Sequence, residues 1–139
     1  MLYEAVRNMG ELQQRERARL SPAVNAALDE GRAIGKKAYE AALSERERAI
    51  AFFTRRFEEF DAVLSPSAPG PAPRGLATTG DPSCCTLWSL LGFPAINLPV
   101  GLAQSMPVGL QLAAPQGRDD DLLAVAAWCS ARLPFRGLV

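Results

Sequence analysis

The stretch LLGFPAINLPVGLAQSMPVGLQLAAP, Leu90 to Pro115, limits what this chain can fold into more than any other segment. It holds no acid, base or cysteine, and prolines stand at positions 94, 99, 107 and 115. Proline fixes φ and has no N–H to donate, so no long helix runs through such a segment. No window of about 18 uncharged apolar residues escapes a proline, so a membrane-spanning helix is not expected. What remains is short strands separated by turns. AINLPV and MPVGLQLAA read as two such strands, apolar enough to be covered on both faces. Pro99 and Pro107 then fall at strand ends rather than inside a ladder.

The rest of the chain divides by charge and proline content. Residues 1–60 hold 21 of the 30 charged side chains and a single proline, Pro22, whereas residues 61–139 hold nine charges and ten prolines. The first part is helical in style. Ser21-Pro22 has the pattern of an N-cap followed by proline at the first helical position. PAVNAALDEGRAIGKKAYEAAL continues in helix-compatible residues, weakened by Gly31 and Gly35. Ser44-Glu-Arg-Glu47 has the spacing of a capping box. It predicts a new helix in which Ile50, Phe53, Phe57 and Phe60 share one face and enter the core. After Asp61, AVLS reads as a strand and PSAPGPAP as an irregular loop. A short helix is expected to start at Ser83, and Asp119-Asp120-Asp121 suit the N-terminus of a closing helix through the dipole. The expected fold class is therefore α/β, with about three strands and four to five helices. Residues 1–139 are read as a single region, 1–60 helical and 61–139 strands, Pro-rich loop and closing helix. Three strands alone make a poor independent sheet.

Composition removes several kinds of chemistry. Formal net charge is zero, which argues against nucleic acid or an anionic membrane as the main partner. There is no histidine, so Ser-His-Asp and Cys-His catalysis, the common zinc sites and an imidazole base are all excluded. Lys36 and Lys37 are the only lysines, and a charged helix makes solvated ends their expected state. The start, MLYEAVRNMGELQQR, is charged throughout and lacks the apolar run of a secretory leader, so the cytoplasm is the expected compartment. Cys84, Cys85 and Cys129 are expected to be reduced thiols there. No metal and no cofactor are expected.

The series FDAVLSPSAPGPAP, TGDPSCCTLWSLLGFPAINLPVG, MPVGLQLAAP and DDDLLAVAAW resembles, in that order, the C-terminal portion of the amidase signature family. Upstream, LSPAVNAALDEG resembles the helix that precedes those pieces. The resemblance implies a mixed sheet covered by helices, and hydrolysis of a linear carboxamide to carboxylate and ammonia or amine. It also implies a nucleophilic serine, a bridging serine in a cis peptide, and a lysine that takes the proton. A desolvated lysine can be neutral at pH 7 and draw a proton through a relay hydroxyl, which suits a chain without histidine. No Gly-Gly-Ser-Ser-Gly-like run, Ser-x-x-Lys or Gly-x-Ser-x-Gly is present here. No catalytic residue is therefore assigned in this chain. The serines and lysine are expected in a missing N-terminal portion, supplied in cis or in trans. The alternatives are a non-catalytic binding or assembly module, with the helical first part as its interface, and one half of a split amidase. The expected partners are a small-molecule amide in the complete enzyme and, through exposed sheet edges, a homo-oligomer. Neither nucleic acid nor a membrane is expected to bind directly.

Candidate pocket residues lie in Thr78–Trp88: Asp81, Ser83, Cys84, Cys85 and Trp88. By resemblance the segment lies near the acyl or leaving-group pocket, where Asp81 would receive a substrate amine or amide and Trp88 would form a wall. Turn chemistry explains Asp81 equally, and core packing explains Trp88. Cys84 and Cys85 have no base or electropositive neighbour in sequence and read as packing residues or pocket lining. Ser65 and Ser67 flank Pro66 at a strand end, either at the mouth of a site or as turn residues.

Overall fold

A computed structural model describes residues 1–133 and Phe135. Positions 134 and 136–139, the end of the expected 61–139 region, lie outside the described residues. The chain divides into two compact units, Met1–Arg48 and Ala49–Val139.

The first unit contains α1 (Leu2–Glu16), a single 3-10 turn at Arg17–Arg19, α2 (Pro22–Ala33) and the beginning of α3 (Lys36–Arg56). Ser21 caps α2 as its pattern predicts: its Oγ accepts from the Val24 N–H at 3.3 Å, with Pro22 at the first helical position. Close packing of α1 on α2 rests on Gly31. A Cβ there would come within 2.5 Å of the Leu2 carbonyl oxygen and 2.7 Å of Val6 Cγ2. Beside it lies a buried polar link. Gln13, 1% exposed, donates from Nε2 to the Asn25 carbonyl at 3.2 Å and to Asp29 Oδ1 at 3.1 Å. Its Oε1 accepts from Arg32 Nε at 3.2 Å. Both polar ends of the amide are thus satisfied, which removes the penalty of burying it. Tyr39 stacks on Tyr3 with ring centroids 4.2 Å apart, and its hydroxyl donates to Glu4 at 2.9 Å.

One expected boundary moves. The capping box at Ser44 does not start a helix, because α3 already runs from Lys36 through it. The Ser44 hydroxyl donates instead to the Glu40 carbonyl at 3.2 Å, one turn back. The break falls at Ile34, which is extended (φ −75°, ψ 114°), next to Gly35. Two glycines in this stretch, Gly31 and Gly35, weaken the helix there, while Ala41, Ala42 and Leu43 carry it past the serine.

The second unit is a three-stranded antiparallel sheet in the order β1-β3-β2, from β1 (Val63–Pro66), β2 (Ala95–Ala103) and β3 (Met106–Ala113). With α4 (Ser83–Leu91) and α5 (Asp119–Arg132) this is an α/β fold. One face packs Leu112 and Ala114 against Leu122, Ala126 and Cys129 of α5, with Ile96 and Leu98 completing the layer. The other packs Ala113 and Val63 against Trp88, Leu91 and Phe93 and the end of α3. Phe53 meets Trp88 edge to face at 5.1 Å and Phe57 meets Phe93 at 5.8 Å. Ile50, Phe53 and Phe57 thus serve the core as their spacing predicts. Phe60 does not: α3 ends at Arg56, and the ring is 57% exposed.

Two strand expectations also change. Only the end of β3 is covered on both faces; β2 alternates between exposed and half-buried residues, as an outer strand with one packed face does. Pro99 lies inside β2, opposite Gly109, at a bulge between Pro99 and Gly101. A proline is tolerated there because β2 is an outer strand and the bulge interrupts the ladder. Within the described residues every strand pairing is antiparallel. Helix α4 ends as a glycine-capped helix does, with Gly92 left-handed (φ 72°) and the Phe93 N–H donating to the Trp88 carbonyl at 3.0 Å. Asp119, Asp120 and Asp121 occupy the first turn of α5. No helix among the described residues is long and apolar enough to cross a membrane.

The β2–β3 hairpin turns on Gln104 and Ser105, both left-handed (φ 52° and 65°), where Asn-Gly is the favoured pair. A non-glycine residue in that region costs about 1–2 kcal/mol, so Ser105→Gly is expected to raise stability by roughly 0.5–1 kcal/mol in chemical denaturation. Trp88→Ala opens the middle of the aromatic cluster and is expected to lower stability by about 3–5 kcal/mol by the same measurement. A third expectation concerns acid. The hydrogen bond from Arg17 (3.0 Å) holds the Asp29 carboxyl below the usual carboxylate range, with help from Gln13. A lowered folded-state pKa contributes stability above the unfolded value and loses it as pH falls through the folded one. Melting followed from neutral pH downward should therefore fall less steeply for Asp29→Asn than for the parent chain.

Candidate substrate-binding cleft

Strand β1 ends at Pro66, and the ladder continues for one more bond, from the Ser67 N–H to the Gly109 carbonyl at 3.1 Å. Beyond it the chain cannot remain in the sheet, because Pro69, Pro71 and Pro73 have no N–H to offer. It swings out and returns through a turn at Thr78–Asp81. There the Gly80 N–H donates to Thr78 Oγ1 at 3.1 Å, and φ of +98° requires the glycine. Between this loop and the start of β3 lies a cleft of about 540 Å³, lined among others by Ser67, Pro69, Pro73, Thr79, Asp81 and Gly109. That volume is in the range of small-molecule sites. Its walls are mostly proline, glycine and alanine, and its polar side chains are Ser67, Thr79 and Asp81.

The five pocket candidates separate. Asp81 lines the cleft, and its Oδ1 accepts from the Ser83 N–H at 2.8 Å, fixing the entry to α4. Ser83 is the first residue of α4. Cys84 is half-buried; Cys85 is exposed, and its thiol donates to the Pro82 carbonyl at 3.2 Å. Both are free thiols. Trp88 is buried among Leu91, Phe93 and Ala113 and is not among the cleft-lining residues. Of the two serines at the end of β1, Ser67 lines the cleft and Ser65 is tied to the sheet.

Two rows of side chains organise this end of the sheet. Ser65, Gln111 and Asn97 are register partners across β1, β3 and β2. Gln111, buried, donates from Nε2 to the Cys84 carbonyl at 2.9 Å and to Ser65 Oγ at 3.3 Å. One side chain thereby ties the first turn of α4 to the sheet and holds the Asp81 segment beside the cleft. In the next row, Gly109 has no space for a side chain. A Cβ there would lie 2.0 Å from Asn97 Oδ1 and 2.4 Å from Ser67 Oγ. Sequence reading did not single out Gln111, Asn97 or Gly109. The available signal was a polar residue at the middle of each of two otherwise apolar strands. Lys36 and Lys37 lie in the first turn of α3, in the first unit, and Lys36 pairs with Glu40 at 3.5 Å. Among the described residues no three His, Cys, Asp or Glu side chains gather as a metal ion requires.

The cleft offers the Asp81 carboxylate and the hydroxyls of Ser67 and Thr79 on apolar walls. It can bind and orient a small polar molecule, but these groups include no nucleophile paired with a base. Known proteins share both sequence and fold with the chain. The family model described as Amidase matches residues 5–123. A glutamyl-tRNA(Gln) amidotransferase subunit from Desulforamulus reducens is 40% identical over 95 residues, which cover 63% of this chain and 20% of that protein. A crystal structure of an amidase superposes with a TM-score of 0.84 at 34% identity, over 95% of this chain and 33% of its own. A bacterial aryl acylamidase of the amidase signature family shares the fold, with a TM-score of 0.74 at 20% identity over 96% of this chain and 32% of its own. The chain thus spans about a fifth of the curated relative and a third of the solved structures. With most of its length matched by the family model, and its fold superposing on a solved amidase, the chain belongs to the amidase family.

Proposed function

We propose that this chain forms the C-terminal scaffold and part of the substrate cleft of a cytoplasmic enzyme that hydrolyses a linear carboxamide. The products are a carboxylate and ammonia or an amine. The observation that carries this reading is the superposition at 34% identity on an amidase of which this chain covers only a third. The remaining two thirds are where the nucleophilic serine, the bridging serine and the lysine belong. Both units are read as one amidase domain, since the family match at 5–123 runs across them. In the complete site Asp81 faces the substrate's amine or amide end, with Ser83, Cys84 and Cys85 at the rim, while Gln111 keeps the segment in position.

The sheet gives a reason to expect a partner. Among the described residues β1 and β2 are outer strands, with Leu64 58% and Leu102 48% exposed. Unpaired edges beside exposed apolar side chains recruit another chain or segment. The missing portion, in cis or in trans, is the proposed occupant; a homo-oligomer, or assembly without catalysis, is the second reading.

The test is ammonia release from a panel of aliphatic and aromatic carboxamides. The chain alone is expected to release none. Mixed with a polypeptide carrying the remainder of an amidase of this family, it should form a complex and gain activity. Hydrolysis by the 139-residue chain alone would overturn the placement of the nucleophile. A stable complex without activity would favour the assembly module.

A further inference from the structure

We infer that the outer face of α5, together with an acidic cleft beside it, forms a self-complementary interface through which two copies of this chain pair about a two-fold axis. A surface helix ordinarily turns a polar face to water. Helix α5 does not. Its inner residues Leu122, Ala126 and Cys129 are in the core, yet Leu123, Ala124, Ala127, Trp128 and Ala131 are exposed on the outside. Leu123 is 56% and Trp128 59% exposed. Apolar side chains all round a helix mark one that is covered on both sides. Next to this face, between the end of α3 and the first half of α5, lies a cleft of about 280 Å³ lined among others by Glu58, Glu59, Phe60, Asp61, Asp121 and Ala124. Phe60 is the ring whose helical spacing predicts burial and which the fold leaves exposed. Asp121 is paired with Arg118, whereas Glu58, Glu59 and Asp61 make no ion pair among the described residues.

The chemistry of this cleft selects its occupant, and α5 carries that occupant one turn further on. An aromatic wall with carboxylates that lack a counter-ion takes a cation borne on an apolar body. The Arg132 guanidinium lies 3.9 Å from the centroid of the Trp128 ring, and its Nη1 donates to the Trp128 carbonyl at 3.1 Å. Arg132 makes no ion pair among the described residues. Within one copy this stack cannot enter the cleft, because both belong to the same helix. In a second copy it can. Helix α5 begins with Asp119, Asp120 and Asp121 and ends with Arg132, so two copies laid antiparallel bring each acidic end onto the other's basic end. With the axis midway between Ala124 and Trp128, each Trp128 falls on the other copy's Ala124 at the mouth of its cleft. Each Arg132 then falls beside the other copy's Asp120, within reach of the cleft carboxylates, Asp61 among them. The small side chains of Ala124 and Ala127 let the helices approach closely. A two-fold interface makes every such contact twice, and tryptophan and arginine are the residues that most often carry binding energy. The inference uses neither the proline-walled cleft nor the sheet edges, so it holds whether or not the chain is part of an enzyme.

Sedimentation equilibrium of the 139-residue chain over a range of concentrations is the test. The parent should show a monomer–dimer equilibrium. Trp128→Ala should weaken the dimer at least about tenfold, with an unchanged circular dichroism spectrum. Two charge reversals separate the interface from a defect in folding. Arg132→Glu and Asp61→Lys each set like charges against one another at both of the two equivalent contacts, so each variant alone should be monomeric where the parent is dimeric. Mixed in equal amounts they should dimerise again. In the mixed pair the introduced glutamate meets the introduced lysine at one contact, and the native arginine meets the native aspartate at the other. A parent chain that stays monomeric throughout, an assembly that Trp128→Ala leaves unchanged, or reversed variants that fail to recover on mixing would each overturn the interface.

Discussion

Strand β3 lies between two demands that the rest of the second unit is arranged to meet. At its end, Leu112, Ala113 and Ala114 must be apolar and small enough for α5 on one face and α4 with the end of α3 on the other. At its start, Gly109 must be nearly absent, because polar groups from both neighbouring strands stand over it. Burial at one end and close approach at the other occur within six residues. The aromatic cluster, the hairpin and the proline-rich cleft all take their positions from this one strand.

Gln111 is the transition between those ends. An apolar residue there would pack, but nothing would then satisfy the Cys84 carbonyl in the first turn of α4 from the sheet side. A glutamine long enough to reach the carbonyl and the Ser65 hydroxyl sets the distance between α4 and the sheet. Buried polar groups of this kind give little net stability but penalise alternative arrangements that leave them unpaired. The Asp81 side of the cleft is therefore held in part by a hydrogen bond from a residue that does not line it.

Local signals were readable wherever a local interaction decides the outcome. The Ser21-Pro22 cap, the acids opening α5 and the spacing of Ile50, Phe53 and Phe57 all act within one or two turns of helix. Ser44 misleads because its hydroxyl has a competing local partner, the Glu40 carbonyl, once residues 36–43 are already helical. Pro99 misleads because tolerance of a proline depends on which strand is outermost, a fact of topology. In the cleft, the Gly-Asp-Pro turn that carries Asp81 is legible, whereas its neighbours are not. Asn97 and Ser67 meet only because β1 and β2 flank β3 in one register, and no window of sequence contains all three.

The order of the strands also sets the order in which they can assemble. β2 and β3 are joined by a two-residue turn, so their ladder closes with almost no loop to order. β1 reaches β3 only after closing a loop that contains the whole proline-rich segment and α4. In kinetic terms the hairpin is a local, early contact and β1 a distant, late one. The cleft is walled by the loop that β1 anchors, so it exists only once that last strand is in place. Opening of β1 alone would release the anchor of the cleft loop while leaving the β2–β3 ladder paired, so the cleft depends on the strand with the longest loop to close.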